Sequence, residues 1–174
     1  MNVQDTSVRP AVTSEEVRAR LAALGRSLPE PWQLPNQIKI APSLIRVLGS
    51  RVFVSGHVPI ADDGTVAGPA GKVGSEVDLE TAQQSAIRTL LGIFASLERE
   101  LGDLGRISAW CRLHCMVNSA DGFLEFPAVF NPASQLLLDA FGDEVGGHSR
   151  VAVGVAGLPW NMPVEIEAEL ELHD

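Results

Sequence analysis

The chain has 174 residues, a formal charge of −9 and a pI of about 4.8, with 45% hydrophobic and 20% charged residues. These values describe one soluble globular domain, long enough to bury a core unaided. Thirteen thinly spread Lys and Arg residues exclude a sequence-independent grip on nucleic acid, which needs clustered cations. No run reaches the ~18 apolar residues of a membrane helix. The first ten residues have no apolar signal core, and two cysteines suit a reducing compartment, so a cytoplasmic protein is expected.

Residues 1 to 12 read as a disordered tail. Thr13 and Glu16 have capping-box spacing ahead of Val17, Leu21 and Leu24, which predicts a short helix over 14–25. Pro29, Pro31 and Pro35 enforce an extended linker. Two strands are predicted at about 38–48 and 51–58, joined at Gly49-Ser50. Asp78 is a good N-cap for a helix over 79–101, on which Ala82, Ala86, Leu90, Phe94, Leu97 and Leu101 recur at helical steps before Gly102.

Residues 106–117 alternate, so Ile107, Ala109, Cys111, Leu113, Cys115 and Val117 are predicted on one face, with Trp110, Arg112 and His114 on the other. The two cysteines are then about 13 Å apart along one strand and cannot pair. Both read as buried thiols, since His114 faces away from them and a metal is not expected. A helix follows over about 132–141, after a turn at 121–128. Strands are predicted at 149–157 and 163–172. Helices linking successive strands predict a mixed sheet with both helices on one side.

The last two strands carry the candidate chemistry. Arg150 opens one, and a guanidinium is the natural bidentate partner of a carboxylate. Glu165 opens the other, beside the Pro159–Pro163 turn. Glu167, Glu169 and Glu171 follow on its face and read as a solvated acidic stripe. Like carboxylates about 7 Å apart raise each other's proton affinity, which suits Glu165 to acid–base work. His57 and His148 are possible proton shuttles, though each reads more simply as a strand-end histidine. Trp110 and Trp160 read as packing anchors.

The run Arg150-Val151-Ala152-Val153-Gly154-Val155-Ala156-Gly157-Leu158, then five residues, then Val164-Glu165-Ile166 resembles the signature of the Rid family. That family is also known as YjgF-like, reactive intermediate deaminase or endoribonuclease L-PSP. Phe53-Val54-Ser55-Gly56-His57-Val58-Pro59, Gly71-Lys72-Val73-Gly74 and the segment from Asn131 to Gly142 are similar to the same family, the last in the manner of its longer-chain branch. The likeness spans about 36–172. It implies an α+β, chorismate-mutase-like fold: a mixed β-sheet with two helices packed on one face, plus the N-terminal helix. The division is then a tail and helix over 1–35 and a Rid-like domain over 36–174.

The resemblance implies a homotrimer that hydrolyses a small imine or enamine acid to a keto acid and ammonia. Arg150 would hold the substrate carboxylate, and Glu165 would orient or activate water. Ser55, Gly56, Ala152 and Asn131 would line the pocket, and no cofactor or metal is implied. The chain departs from the pattern in having His57 for the usual Gln, His148 two before the arginine, and no Tyr, with Pro42 near the place of the family's tyrosine. The alternative is a non-catalytic trimer of the same family that binds a keto acid or similar small metabolite; the family's ribonuclease label conflicts with the acidic charge. If the strands of Arg150 and Glu165 run antiparallel, their starts lie on the order of 20 Å apart. One small acid could then touch both only across a subunit interface in a closed oligomer, without nucleic acid or membrane as partner.

Overall fold

A computed structural model describes residues 12–33 and 43–173. Helix α1 spans Ser14–Ala23, and its predicted capping box forms: the Thr13 hydroxyl accepts from the Glu16 amide, and the Glu16 carboxylate accepts from the Thr13 amide. Val17 and Leu21 reach the main core. The tail and the first half of the strand predicted at 38–48 lie outside the described residues. The rest of that strand is β1, Ile45–Leu48, which turns at Gly49-Ser50 into β2, Arg51–His57. Gly49 has φ of +62°, a conformation that glycine adopts at little cost.

Helix α2, Leu79–Leu101, starts and stops where predicted. Asp78 accepts from the Thr81 amide at 2.8 Å, and Gly102 closes the helix in the left-handed conformation. Strand β3 (Ile107–Asn118), helix α3 (Phe126–Gly146), β4 (Ser149–Val155) and β5 (Val164–Leu172) complete the chain. The sheet order is β1-β2-β5-β3-β4. β3 and β4 are parallel, joined by the α3 crossover, and the other pairs are antiparallel. This is the predicted α+β architecture. Helices α2 and α3 cover one face of the sheet, where Phe94, Trp110 and Phe141 meet edge to face with ring centres 5.2–5.5 Å apart.

Two expectations are corrected. The alternation predicted along β3 fails at its start. Two residues of β3 oppose one of β5 between Ile107 and Ala109, and again between Trp110 and Arg112. Each extra residue is a bulge that reverses the facing of the residues after it. Trp110 is therefore buried in the core and Cys111 is exposed, whereas Cys115 is buried as predicted.

Helix α3 also begins six residues before its predicted start, with Pro132 inside it. A helical proline leaves the carbonyl four residues earlier without its amide. Here that carbonyl, Ala128, accepts from the Gln83 side chain of α2 at 2.9 Å. The predicted stop at Gly142 appears as a break, with φ of +80° and ψ of 165°, before one last turn. Arg20 of α1 donates to the nearby Ala140 carbonyl.

Between β4 and β5, Trp160 and Asn161 both have positive φ, +54° and +56°. Asn161 accepts through Oδ1 from Asn118 at the end of β3, and through its carbonyl from the Gly71 amide. Trp160 packs edge to face on Trp32. These contacts hold a strained turn and fix where β5 begins. Among the described residues no helix is long and apolar enough to cross a membrane.

Candidate active site in two halves

Arg150 lies on β4 opposite the buried Leu113, so its side chain leaves the sheet toward α3. Nη1 donates to the Ser134 hydroxyl at 2.9 Å. Nη2 donates to Asn131 Oδ1 at 2.9 Å and to the Pro127 carbonyl at 3.3 Å. All three acceptors are neutral and lie on α3. Among the described residues no carboxylate comes within ion-pair distance of Arg150. Nε and the second Nη1 hydrogen have no partner there either. The guanidinium is thus aimed and held, with no compensating charge among the described residues.

Two and four residues on, Ala152 and Gly154 share its face. Ala152 is opposite Cys115, whose thiol burial pushes up to about 12. A side chain at Gly154 would strike the Phe126 ring and the Ser119 hydroxyl, at 2.5 and 2.7 Å. Lys72, from the Gly71–Gly74 loop, donates to the Ser119 and Ala156 carbonyls, each at 3.0 Å. It ties the ends of β3 and β4 together.

Glu165 belongs to the opposite face of the sheet, the one that no helix of the described residues covers. It sits opposite Met116 and beside Gly56, where an added Cβ would lie 1.7 Å from Glu165 Oε1. Burial, and then the neighbouring Glu167 charge, raise its proton affinity above the usual carboxylate range. The other glutamates of the strand are partnered. Glu167 meets His114 at 3.2 Å, Glu169 lies between Arg51 and Arg112, and Glu171 accepts from the Ser50 hydroxyl. Glu165 alone of the four has no hydrogen-bond or ion-pair partner among the described residues.

An open groove of about 570 Å³ runs over this face past Ser43, Arg46, Phe53, Ser55, His114 and Glu167. The Ser55 hydroxyl donates to the Ser43 carbonyl at 3.1 Å. His57, next to Gly56, is fully buried. One ring nitrogen contacts the Ser55 carbonyl at 2.7 Å and the other the Ser96 hydroxyl at 3.0 Å. Burial lowers its pKa to about 4, so it is a neutral core residue and not exposed to exchange protons with a ligand.

One chain therefore brings the named residues into two groups. Arg150, Ala152 and Asn131 lie on the helix face at the β4 edge, and Ser55, Gly56 and Glu165 lie on the open face. Strands β4 and β5 are antiparallel with β3 between them. Their registers on β3 are offset by three residues, Leu113 against Met116. Three residues of rise and two strand spacings put the Cα atoms roughly 14 Å apart. That is shorter than the roughly 20 Å expected from the sequence, because the starts are not at full opposite ends. The two side chains nevertheless leave opposite faces. Among the described residues no group of three or more His, Cys, Asp or Glu side chains is placed to hold a metal.

Two groups that hold Arg150 escape a sequence reading: the Ser134 hydroxyl and the Pro127 carbonyl. Their signal is the spacing of Pro127, Asn131 and Ser134, one helical face that is visible only once α3 is known to start before Pro132.

A mixed five-stranded sheet, two crossover helices on one face and an open second face define the chorismate-mutase-like class. Residues 18–169 match the sequence profile described as "YjgF/chorismate mutase-like, putative endoribonuclease". The chain is 36% identical over 164 residues to protein TCP17 of Trypanosoma cruzi, covering 94% of this chain and 98% of that one. The crystal structure of Atu1372 from Agrobacterium tumefaciens, a protein of unknown function, superposes with a TM-score of 0.82 at 35% identity, covering 92% of this chain and 94% of the other. E. coli TdcF, solved with bound serine, shares the fold at a TM-score of 0.56 and 19% identity, over 86% and 97% of the two chains. The chain belongs to the YjgF family.

Proposed function

We propose that this protein hydrolyses a small imine or enamine acid to a keto acid and ammonia, at sites between subunits of a homotrimer. The observation that carries the reading is a matched pair of unmet charges. Among the described residues Arg150 is oriented by three neutral acceptors and has no counter-ion, and Glu165 alone of the carboxylates on its strand has no partner. They lie on opposite faces of one sheet, so a ligand that uses both must lie where the β4 edge of one subunit meets the open face of another. Serine bound to TdcF supports a carboxylate-bearing ligand of this size.

In this reading Arg150 binds the carboxylate and Asn131 and Ser134 hold Arg150. Glu165 takes a proton from water as the oxygen adds to the imine carbon. Glu165 returns that proton to the nitrogen to give the carbinolamine, whose hydroxyl proton then moves to the nitrogen as the C–N bond breaks, the carbonyl forms and ammonia leaves. An enamine first takes a proton from solvent at its terminal carbon, and loses one from nitrogen, to become the imine. A carboxylate of raised proton affinity suits the role, because a base works best near the ambient pH. The imine is already electrophilic, so the chemistry calls for no cofactor.

The test is to generate 2-aminoacrylate in solution and follow its decay with wild type and with Arg150→Ala. Faster decay with wild type alone is expected. Equal decay in both, matching buffer, removes the deaminase reading. If wild type still binds pyruvate, that result leaves a metabolite-binding trimer, which the absence of any Tyr would favour.

A further inference from the structure

We propose that Ser134 and His148 are positioning residues for Arg150, coupled in series, with His148 acting only through the Ser134 hydroxyl. The inference rests on the reading of Arg150 as the anion-binding group, and extends it to what fixes that group in place.

The hydrogen positions are set by the partners. His148 Nδ1 lies 2.7 Å from the Gly146 carbonyl. A carbonyl only accepts, so Nδ1 carries the hydrogen, and Nε2 of the neutral ring is a bare acceptor. Ser134 Oγ lies 3.0 Å from Nε2 and 2.9 Å from Arg150 Nη1. Nη1 only donates. The Ser134 hydroxyl therefore gives its hydrogen to His148 and turns a lone pair to Arg150. Every group in the sequence Arg150, Ser134, His148, Gly146 donates to the next, an arrangement in which each bond polarises its neighbour.

The histidine matters because Ser134 is inside a helix. A serine hydroxyl there commonly donates back to the carbonyl four residues earlier, which here is Phe130. That rotamer would carry the oxygen away from the guanidinium. The acceptor at Nε2 draws the hydroxyl toward β4 instead. Asn131, one turn back on α3, holds the other terminal nitrogen. The guanidinium plane is then fixed at both ends by one rigid helix, with Nε–H and one Nη1–H, on different edges of the group, left without partners among the described residues. The placement of His148 two residues before Arg150 couples the chain reversal after α3 to the same contact.

Binding of pyruvate, titrated by ¹H–¹⁵N NMR, tests the series arrangement. Arg150→Ala is expected to abolish binding. Ser134→Ala and His148→Leu should each weaken it about fivefold, the scale of losing one hydrogen bond to a charged group that keeps its other partners. Ser134→Thr restores the hydroxyl, and His148→Gln restores an acceptor near Nε2. Each should recover binding to within about twofold of wild type. The double variant Ser134→Ala/His148→Leu should bind no more weakly than Ser134→Ala alone, the signature of two residues acting as one unit.

Additive losses in the double variant overturn the proposal, as does unchanged binding in Ser134→Ala while Arg150→Ala fails. Wild-type binding in Arg150→Ala would instead remove the reading of Arg150 itself. The free protein gives a readout independent of pyruvate. Long-range ¹H–¹⁵N spectra should show the neutral form of the His148 ring with its hydrogen on Nδ1 and none on Nε2; the opposite tautomer, with hydrogen on Nε2 and none on Nδ1, refutes the relay whether or not pyruvate binds.

Discussion

Gly56→Ala isolates Glu165 without touching it. Gly56 lies in β2, outside the left-handed region, so alanine meets no backbone strain there. Its Cβ would stand 1.7 Å from Glu165 Oε1, and a tolerable contact is roughly 3.2 Å. The carboxylate must therefore retreat by roughly 1.5 Å. It sits at the end of a flexible side chain, so an off-rotamer cost of about 0.5–1.5 kcal/mol is expected. The less flexible unfolded chain of the alanine variant offsets about 0.4–1 kcal/mol of it.

Net stability should thus stay within about 1 kcal/mol of wild type, read as an unchanged urea midpoint. Turnover should not. A displacement above about 1 Å at a group that places the attacking water costs on the order of 100-fold. The assay is decay of 2-aminoacrylate generated in solution. Glu165→Gln should fall as far, and Gly56→Ala/Glu165→Gln should fall no further, because both changes remove one function. A folded Gly56→Ala protein with wild-type turnover would refute the assignment of water positioning to Glu165.

The fold carries three more expected outcomes. His57 has a folded pKa of about 4 against 6.5; its stabilisation is present above pH 6.5 and lost as pH falls toward 4. Urea unfolding of wild type should lose about 3 kcal/mol over that window through this residue, and His57→Gln should lack that part of the slope; equal slopes would contradict it. Cys111 is exposed and Cys115 buried, so an aromatic disulfide reagent should label one thiol quickly and the second only on unfolding; two equal rates would contradict the β3 bulges. Gln83→Leu leaves the Ala128 carbonyl without its donor and should cost about 1–3 kcal/mol by urea unfolding, whereas no loss would mean that Pro132 needs no such compensation.

Periodicity makes α2 and β5 legible because each keeps one facing rule from end to end, whereas β2 keeps it only as far as Val54, before its register shifts against β5. On β5 the alternation of Val164, Ile166, Ala168, Leu170 and Leu172 with glutamates survives intact as buried and partly exposed positions. β3 departs from its periodicity because bulges depend on the partner strand: nothing in Ile107 to Arg112 announces that β5 supplies fewer residues opposite. α3 extends past its expected start because Pro132 has the local signature of a helix beginning, and the donor that makes it tolerable inside the helix comes from Gln83, on α2. A rule about the local chain cannot see a hydrogen bond supplied by another helix.

The same limit shapes the candidate site. Arg150 and Glu165 stand out because their spacing and flanking pattern resemble a family signature. The pairing of Ser134 with His148 does not, since their meeting depends on where α3 starts and how the chain reverses before β4. The open face extends the point. In sequence Glu167, Glu169 and Glu171 read as a solvated stripe and Glu165 stands apart at the strand's start, and cross-strand neighbours give that division its physical basis. Arg51, Arg112 and His114 come from β2 and β3 to meet Glu169 and Glu167, and among the described residues no such partner reaches Glu165. A half-buried carboxylate left without the partners its neighbours have is costly to keep ionised, and the oriented guanidinium of Arg150 likewise lacks an anion among the described residues. Two such deficits of opposite sign, on opposite faces of one sheet, are relieved together if another copy of the chain and a small anion bring them into one site.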